Sequence, residues 1–119
     1  MKKIIVVAFA LLLISCTNAE QYEKIVGEWN CSEWIIESSG KDRCNNNVYF
    51  NFKADKTYSS KVTGLEESGV YRIENGLLYS TPENKLEIGV EISKLENDTL
   101  QFVMSRSGQK EILTLIKKK

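Results

Sequence analysis

Apolar residues recur at every second position through most of the chain after Gln21. Val48, Phe50 and Phe52 alternate with Asn47, Tyr49, Asn51 and Lys53. Leu86, Ile88, Val90 and Ile92 alternate with Glu87, Gly89 and Glu91, so the two glutamates read as a solvated face. Leu100, Phe102 and Met104 keep the same rhythm, and then Ile112, Thr114 and Ile116. A side-chain period of two places each set on one face of a sheet. No stretch after Gln21 holds a helical stripe for ten residues, although a single helical turn fits around Glu20 to Lys24.

Turn chemistry falls between these runs at short intervals. Asp55-Lys56, Gly64 to Ser68, Pro82 to Asn84, Asn97-Asp98 and Ser107-Gly108 each interrupt the alternation. Asn75-Gly76 is the strongest of them, because both residues tolerate the positive φ of a type I′ hairpin turn. The spacing predicts eight strands: Ile25–Glu37, Val48–Lys53, Thr57–Thr63, Gly69–Glu74, Leu77–Thr81, Lys85–Leu95, Thr99–Ser105 and Gln109–Ile116. Short strands joined by tight turns predict an antiparallel meander, and closure into a barrel removes its exposed edges.

The amino terminus follows a different rule. Lys2 and Lys3 precede an uninterrupted apolar run from Ile4 to Ile14. Eleven residues are too few for a bilayer, which takes about 20, so the run reads as a secretory signal. Leu13-Ile14-Ser15-Cys16 resembles the bacterial lipobox. That resemblance implies cleavage of a signal peptide over residues 1–15, diacylglycerol on the Cys16 sulfur and acylation of the new amino group. Two or more acyl chains hold a protein stably at a membrane where one does not. Residues 16–24 are then the lipidated cysteine and its tether, and 25–119 the barrel domain. Thr17 stands where an Asp would signal inner-membrane retention in enteric lipoproteins, so an outer-membrane lipoprotein is expected.

Composition narrows the chemistry. The 119 residues suffice for one domain, and 16 basic side chains balance 16 acidic ones. A neutral chain has no electrostatic footprint for nucleic acid. Histidine is absent, which excludes a histidine triad, histidine metal ligands and a histidine pH switch. Ser38 and Lys41 have the spacing of a Ser-Lys nucleophile motif but lack its companions. No phosphate loop or calcium loop is present. The expectation is therefore a non-enzyme with no cofactor and no metal.

With Cys16 carrying lipid, Cys31 and Cys44 remain. In an exported protein an even pair is expected to form a disulfide, worth about 3 kcal/mol for a loop of this length on the chain-entropy model. A redox pair or a two-thiolate metal site is the alternative, against which stand the absence of C-x-x-C spacing and of histidine.

Gly27-Glu28-Trp29, Phe52-Lys53-Ala54-Asp55-Lys56-Thr57-Tyr58, Ser68 to Leu77 and Ile92 to Leu100 occur in that order. Together they resemble the small lipocalin-like lipoproteins common in Bacteroidetes, over nearly all of Ile25 to Ile116. The resemblance implies a small eight-stranded up-and-down β-barrel. Lys56 stands where such proteins usually carry glycine, and lysine disfavours positive φ, so a different turn is expected there. The resemblance also gives Gly27 and Trp29 the role of a plug sealing one end of the barrel. Asp98-Thr99-Leu100 resembles a short O-glycosylation signal of the same bacteria, and serves a hairpin turn equally well.

Trp34, Tyr49, Tyr58, Tyr71 and Tyr79 combine apolar area with a polar tip and are the expected lining of a ligand pocket. Glu66 and Glu67 fall in an expected loop and read as solvated; Lys117 to Lys119 read as a basic tail able to touch anionic lipid or fray. Two function classes remain open. One is a lipid-anchored barrel holding a small apolar or amphipathic ligand. The other is an envelope interaction protein or inhibitor that uses the polar segment Ser38–Asn47 to hold a protein partner over a filled barrel.

Overall fold

The computed structural model describes residues 19–119 except 46, 63 and 107, and of Arg106 the backbone alone. The signal peptide, Cys16 and the start of the tether lie outside the described residues. Eight strands form: β1 (Gly27–Ile36), β2 (Tyr49–Phe52), β3 (Thr57–Lys61), β4 (Glu66–Glu74), β5 (Leu77–Pro82), β6 (Ile88–Glu96), β7 (Thr99–Arg106) and β8 (Gln109–Lys117). Each pairs antiparallel with its neighbour in sequence, and β8 returns to β1, so the sheet is a closed barrel. A short helix over residues 19–25 precedes β1.

The expected up-and-down barrel is thus the observed one. Asn75 and Gly76 take positive φ of 53° and 78°, as the hairpin between β4 and β5 demands. Lys56 departs from expectation, because it does enter the left-handed region, at φ 68°. Its turn is held by neighbours: Asp55 Oδ1 accepts from the Thr57 N–H at 3.0 Å, and the Lys56 carbonyl accepts from the Tyr71 N–H at 2.9 Å. The Lys56 ammonium also rests 4.7 Å from the Tyr22 ring centre. These contacts offset the roughly 1–2 kcal/mol that the left-handed region costs an ordinary residue.

In β8, Ile112, Thr114 and Ile116 share one face as expected, and it is the outer one; the buried set is Glu111, Leu113 and Leu115. Two other expectations are corrected. β6 starts at Ile88, not Lys85, which leaves Leu86 outside the sheet and 87% exposed. Glu66 and Glu67 open strand β4 and do not lie in a loop. The basic tail is also tied down. Lys117 ends β8, Lys118 Nζ lies 3.5 Å from Glu28 and Lys119 Nζ 2.9 Å from Asp98.

One end of the barrel is sealed. Trp29 is fully buried there, and its indole N–H donates to the Ile25 carbonyl at 2.8 Å. Tyr22, from the helix, accepts the Ile73 N–H at 2.8 Å and lies beside Tyr71. Lys117 Nζ sits 5.2 Å over the Trp29 ring and donates to the Lys24 carbonyl. Gly27 enters β1 at φ 138°, a region barred to side-chain-bearing residues. Phe52, Tyr71, Ile73, Leu100, Leu113 and Leu115 complete this core. Each fully buried apolar side chain contributes about 1.5–3 kcal/mol.

Candidate functional site: an open cavity in the upper barrel

Beyond this core the barrel stays open. A cavity of about 330 Å³ occupies its upper half, near the lower bound of small-ligand pockets, which run about 300–1,000 Å³. Phe50 and Phe102 meet edge to face at 5.8 Å and, with Leu78, form its base. Trp34, Val90 and Met104 continue the apolar wall. Leu65 and Ile88, 71% and 53% exposed, stand at the mouth.

A second wall is polar. Tyr58 and Ser60 point inward from β3, Glu67 from β4 and Ser80 from β5. Ser60 is paired directly across from Glu67. Tyr58 and Ser60 are each only 4% exposed. Burial pushes the Tyr58 hydroxyl above its ordinary pKa, opposed by a hydrogen bond with Ser80 and aided by the negative charge of Glu67. Gly69 lies between these strands because they approach closely: a Cβ there would overlap the Thr81 carbonyl oxygen and come within 2.9 Å of Pro82 Cα.

The segment between β1 and β2 shapes the remaining side. β2 covers β1 only as far as Asn30. Above that point residues 41–44 fold back along β1, with an isolated bridge between Ile35 and Asp42. The Arg43 N–H donates to the Trp34 carbonyl at 2.7 Å. Asp42 Oδ1 accepts from the Cys44 N–H at 2.9 Å and the Trp34 N–H at 3.0 Å, and these bonds hold its carboxyl below the ordinary range. The expected Cys31–Cys44 disulfide pins the segment. The Arg43 guanidinium thereby lies 4.6 Å over the Trp34 ring. Trp34 Nε1 donates to Glu111 Oε1 at 2.7 Å, and Arg43 Nη1 stands 3.5 Å from the same oxygen. A buried carboxylate in β8 is tolerable only because both partners reach it.

The five aromatic residues expected to line a pocket are not brought together. Trp34 and Tyr58 line the cavity. Tyr71 is buried at the sealed end, its hydroxyl donating to the Lys53 carbonyl at 2.8 Å and its ring edge-on to Phe52 at 5.0 Å. Burial is the main cause that pushes this hydroxyl up to about 12, with the neighbouring Tyr22 and Asp55 adding to it. Tyr49 occupies the outward phase of β2, half-buried. Tyr79 lies outside on β5 beneath the Arg72 guanidinium, 4.0 Å from its ring centre. Sequence reasoning did not single out Ser60, Ser80, Glu67, Phe102 and Met104 as lining residues. The signal was present, since each of these five shares the phase of the buried residues of its own strand.

A closed eight-stranded antiparallel barrel with one sealed and one open end defines the lipocalin-like class. The profile described as "Lipocalin-like domain" matches residues 25–102, and the chain belongs to this family. Among solved structures, an uncharacterized protein from Bacteroides eggerthii is similar in fold, with a TM-score of 0.60 at 12% sequence identity, covering 78% of this chain and 98% of that one. A comparison with curated proteins finds no match.

Proposed function

We propose that this protein is a lipid-anchored lipocalin-like binding protein of the cell envelope, carrying one small apolar or amphipathic molecule in the upper barrel. The observation that supports this reading is the cavity of about 330 Å³ between Phe50, Phe102 and Trp34. A barrel that served only as scaffold has no need of such a space, since the interior of a small barrel can be filled by its own side chains. The family is generally one of binding proteins, and we read this chain as a carrier and not an enzyme. The lipobox supports acylation at Cys16 and an outer-membrane address, with the barrel in an oxidising compartment where the Cys31–Cys44 bond persists.

Native mass spectrometry tests the binding. The chain from Thr17 onward, exported to a bacterial periplasm and gently purified, is expected to carry a mass excess that disappears on denaturation. A bare mass, confirmed after incubation with an envelope lipid extract, would refute the carrier reading and favour a protein partner at the segment Ser38–Asn47. Acylation is read separately: labelled palmitate is expected in the full chain and lost on Cys16→Ala.

A further inference from the structure

We infer that the bound molecule presents hydrogen-bond donors, as a hydroxyl or ammonium group, to the β3–β5 wall, and that anionic lipids such as fatty acids are excluded. This rests on the carrier reading above and assigns its ligand class.

The argument is one of charge and donor balance. Among the described lining residues there is no lysine or arginine, and the one charged side chain is Glu67. Ser60 faces Glu67 across the β3–β4 pair, and Tyr58 and Ser80 stand beside them. Hydroxyls both donate and accept, but a carboxylate only accepts. A ligand donor arriving here finds Glu67 and three hydroxyl oxygens.

A ligand carboxylate finds the same three hydroxyls as donors, but meets Glu67 as a like charge. Two cations that touch lining residues are already engaged. Lys85 Nζ lies 3.1 Å from Glu67, on the outer side with its side chain 59% exposed. Arg43 is held on the Trp34 ring and the Glu111 carboxylate by the disulfide-pinned segment. An acid head would therefore lose hydration beside the Glu67 carboxylate, with no cation among the described lining residues to compensate it. The apolar tail is accommodated whatever the head, because Phe50, Phe102, Leu78 and Met104 offer only hydrocarbon, ring and thioether surface. Selection thus falls on the head group, by unpaired charge and not by shape.

The test is a matched series of decylamine, 1-decanol and decanoate, titrated into the chain from Thr17, which contains the whole closed barrel. Binding is followed at pH 7 by the indole N–H resonances. Trp34 borders the cavity and is expected to shift; Trp29, in the sealed end, is expected to stay. Decylamine and decanol are expected to bind at least about tenfold more tightly than decanoate. Glu67→Gln is expected to bring decylamine and decanoate within about threefold of each other, and Lys85→Gln to widen their difference. Decanoate binding as tightly as decylamine, or a ratio unmoved by Glu67→Gln, overturns the inference while leaving the carrier reading intact. No shift at Trp34 with any of the three overturns both.

Discussion

Glu111 is the only acidic side chain buried among the described residues, and its neutralisation makes a quantitative prediction. Arg43→Met removes the cation but keeps much of the side-chain volume over Trp34. At 3.5 Å the Arg43–Glu111 attraction is about 5 kcal/mol at an effective dielectric of about 20. Arg43 is 38% exposed, so water screens much of this, and part of the remainder is offset by desolvation. The net coupling expected is about 1–2 kcal/mol. For a domain of this size that lowers Tm by roughly 5–10 °C. The assay is a double-mutant cycle with Glu111→Gln, which removes the charge but keeps an oxygen for the Trp34 N–H at 2.7 Å. Urea unfolding of the wild type, both single variants and the double variant then isolates the pair. Arg43→Met should cost less in the Glu111→Gln background than in the wild type. Equal costs in both, within about 0.5 kcal/mol, would show that Arg43 acts through packing on Trp34 alone and would refute the charge argument.

Two further perturbations test other parts of the barrel. Gly69→Ala forces a methyl group into the Thr81 carbonyl and Pro82, both backbone, and is expected to destabilise by about 2–4 kcal/mol, seen as a lower urea midpoint. An unchanged midpoint would mean that β4 and β5 separate at little cost. Tyr71, its hydroxyl pushed up to about 12, favours its neutral form more in the folded state than in the unfolded one. Its contribution is therefore complete below pH 10 and lost as pH rises from about 10 to 12, by up to about 2 kcal/mol. Tyr71→Phe is expected to have lower stability at pH 7, through loss of the bond to Lys53, but a shallower alkaline decline. Parallel declines in the two proteins would sink that assignment.

Much of the barrel is legible in the sequence because antiparallel pairing is local. Asn75-Gly76 and Asn97-Asp98 mark turns by their own conformational preferences, with Asn97 also at positive φ, 51°. Phase is harder to read than strand position. In β8, Ile112, Thr114 and Ile116 alternate with Leu113 and Leu115, so both faces are apolar. The charge of Glu111 argues against the phase that is in fact buried, and only Trp34 and Arg43, distant in sequence, reverse that argument. The cavity lining suffered from the same weakness. Tyrosine suits a pocket wall by type, yet Tyr49 and Tyr79 fall in the phase opposite to Phe50 and Leu78 and so face out. Lys56 misleads for another reason: intrinsic preference is overridden by a hydrogen-bonded turn and by Tyr22.

If Cys16 is acylated as proposed, the helix over residues 19–25 would set the polarity of the barrel on the membrane. It brings the chain to the sealed end of the barrel, and Cys16 lies three residues before its first turn, a span of at most about 11 Å. An acylated Cys16 would hold that end against the bilayer, with the barrel standing upright like a cup on its foot. Leu65 and Ile88 would then look into the aqueous space, away from the lipid. On the proposed reading, such a carrier would fill and empty by collision with soluble donors and acceptors, at a rate set by their concentration, and would not draw its cargo from the leaflet that moors it.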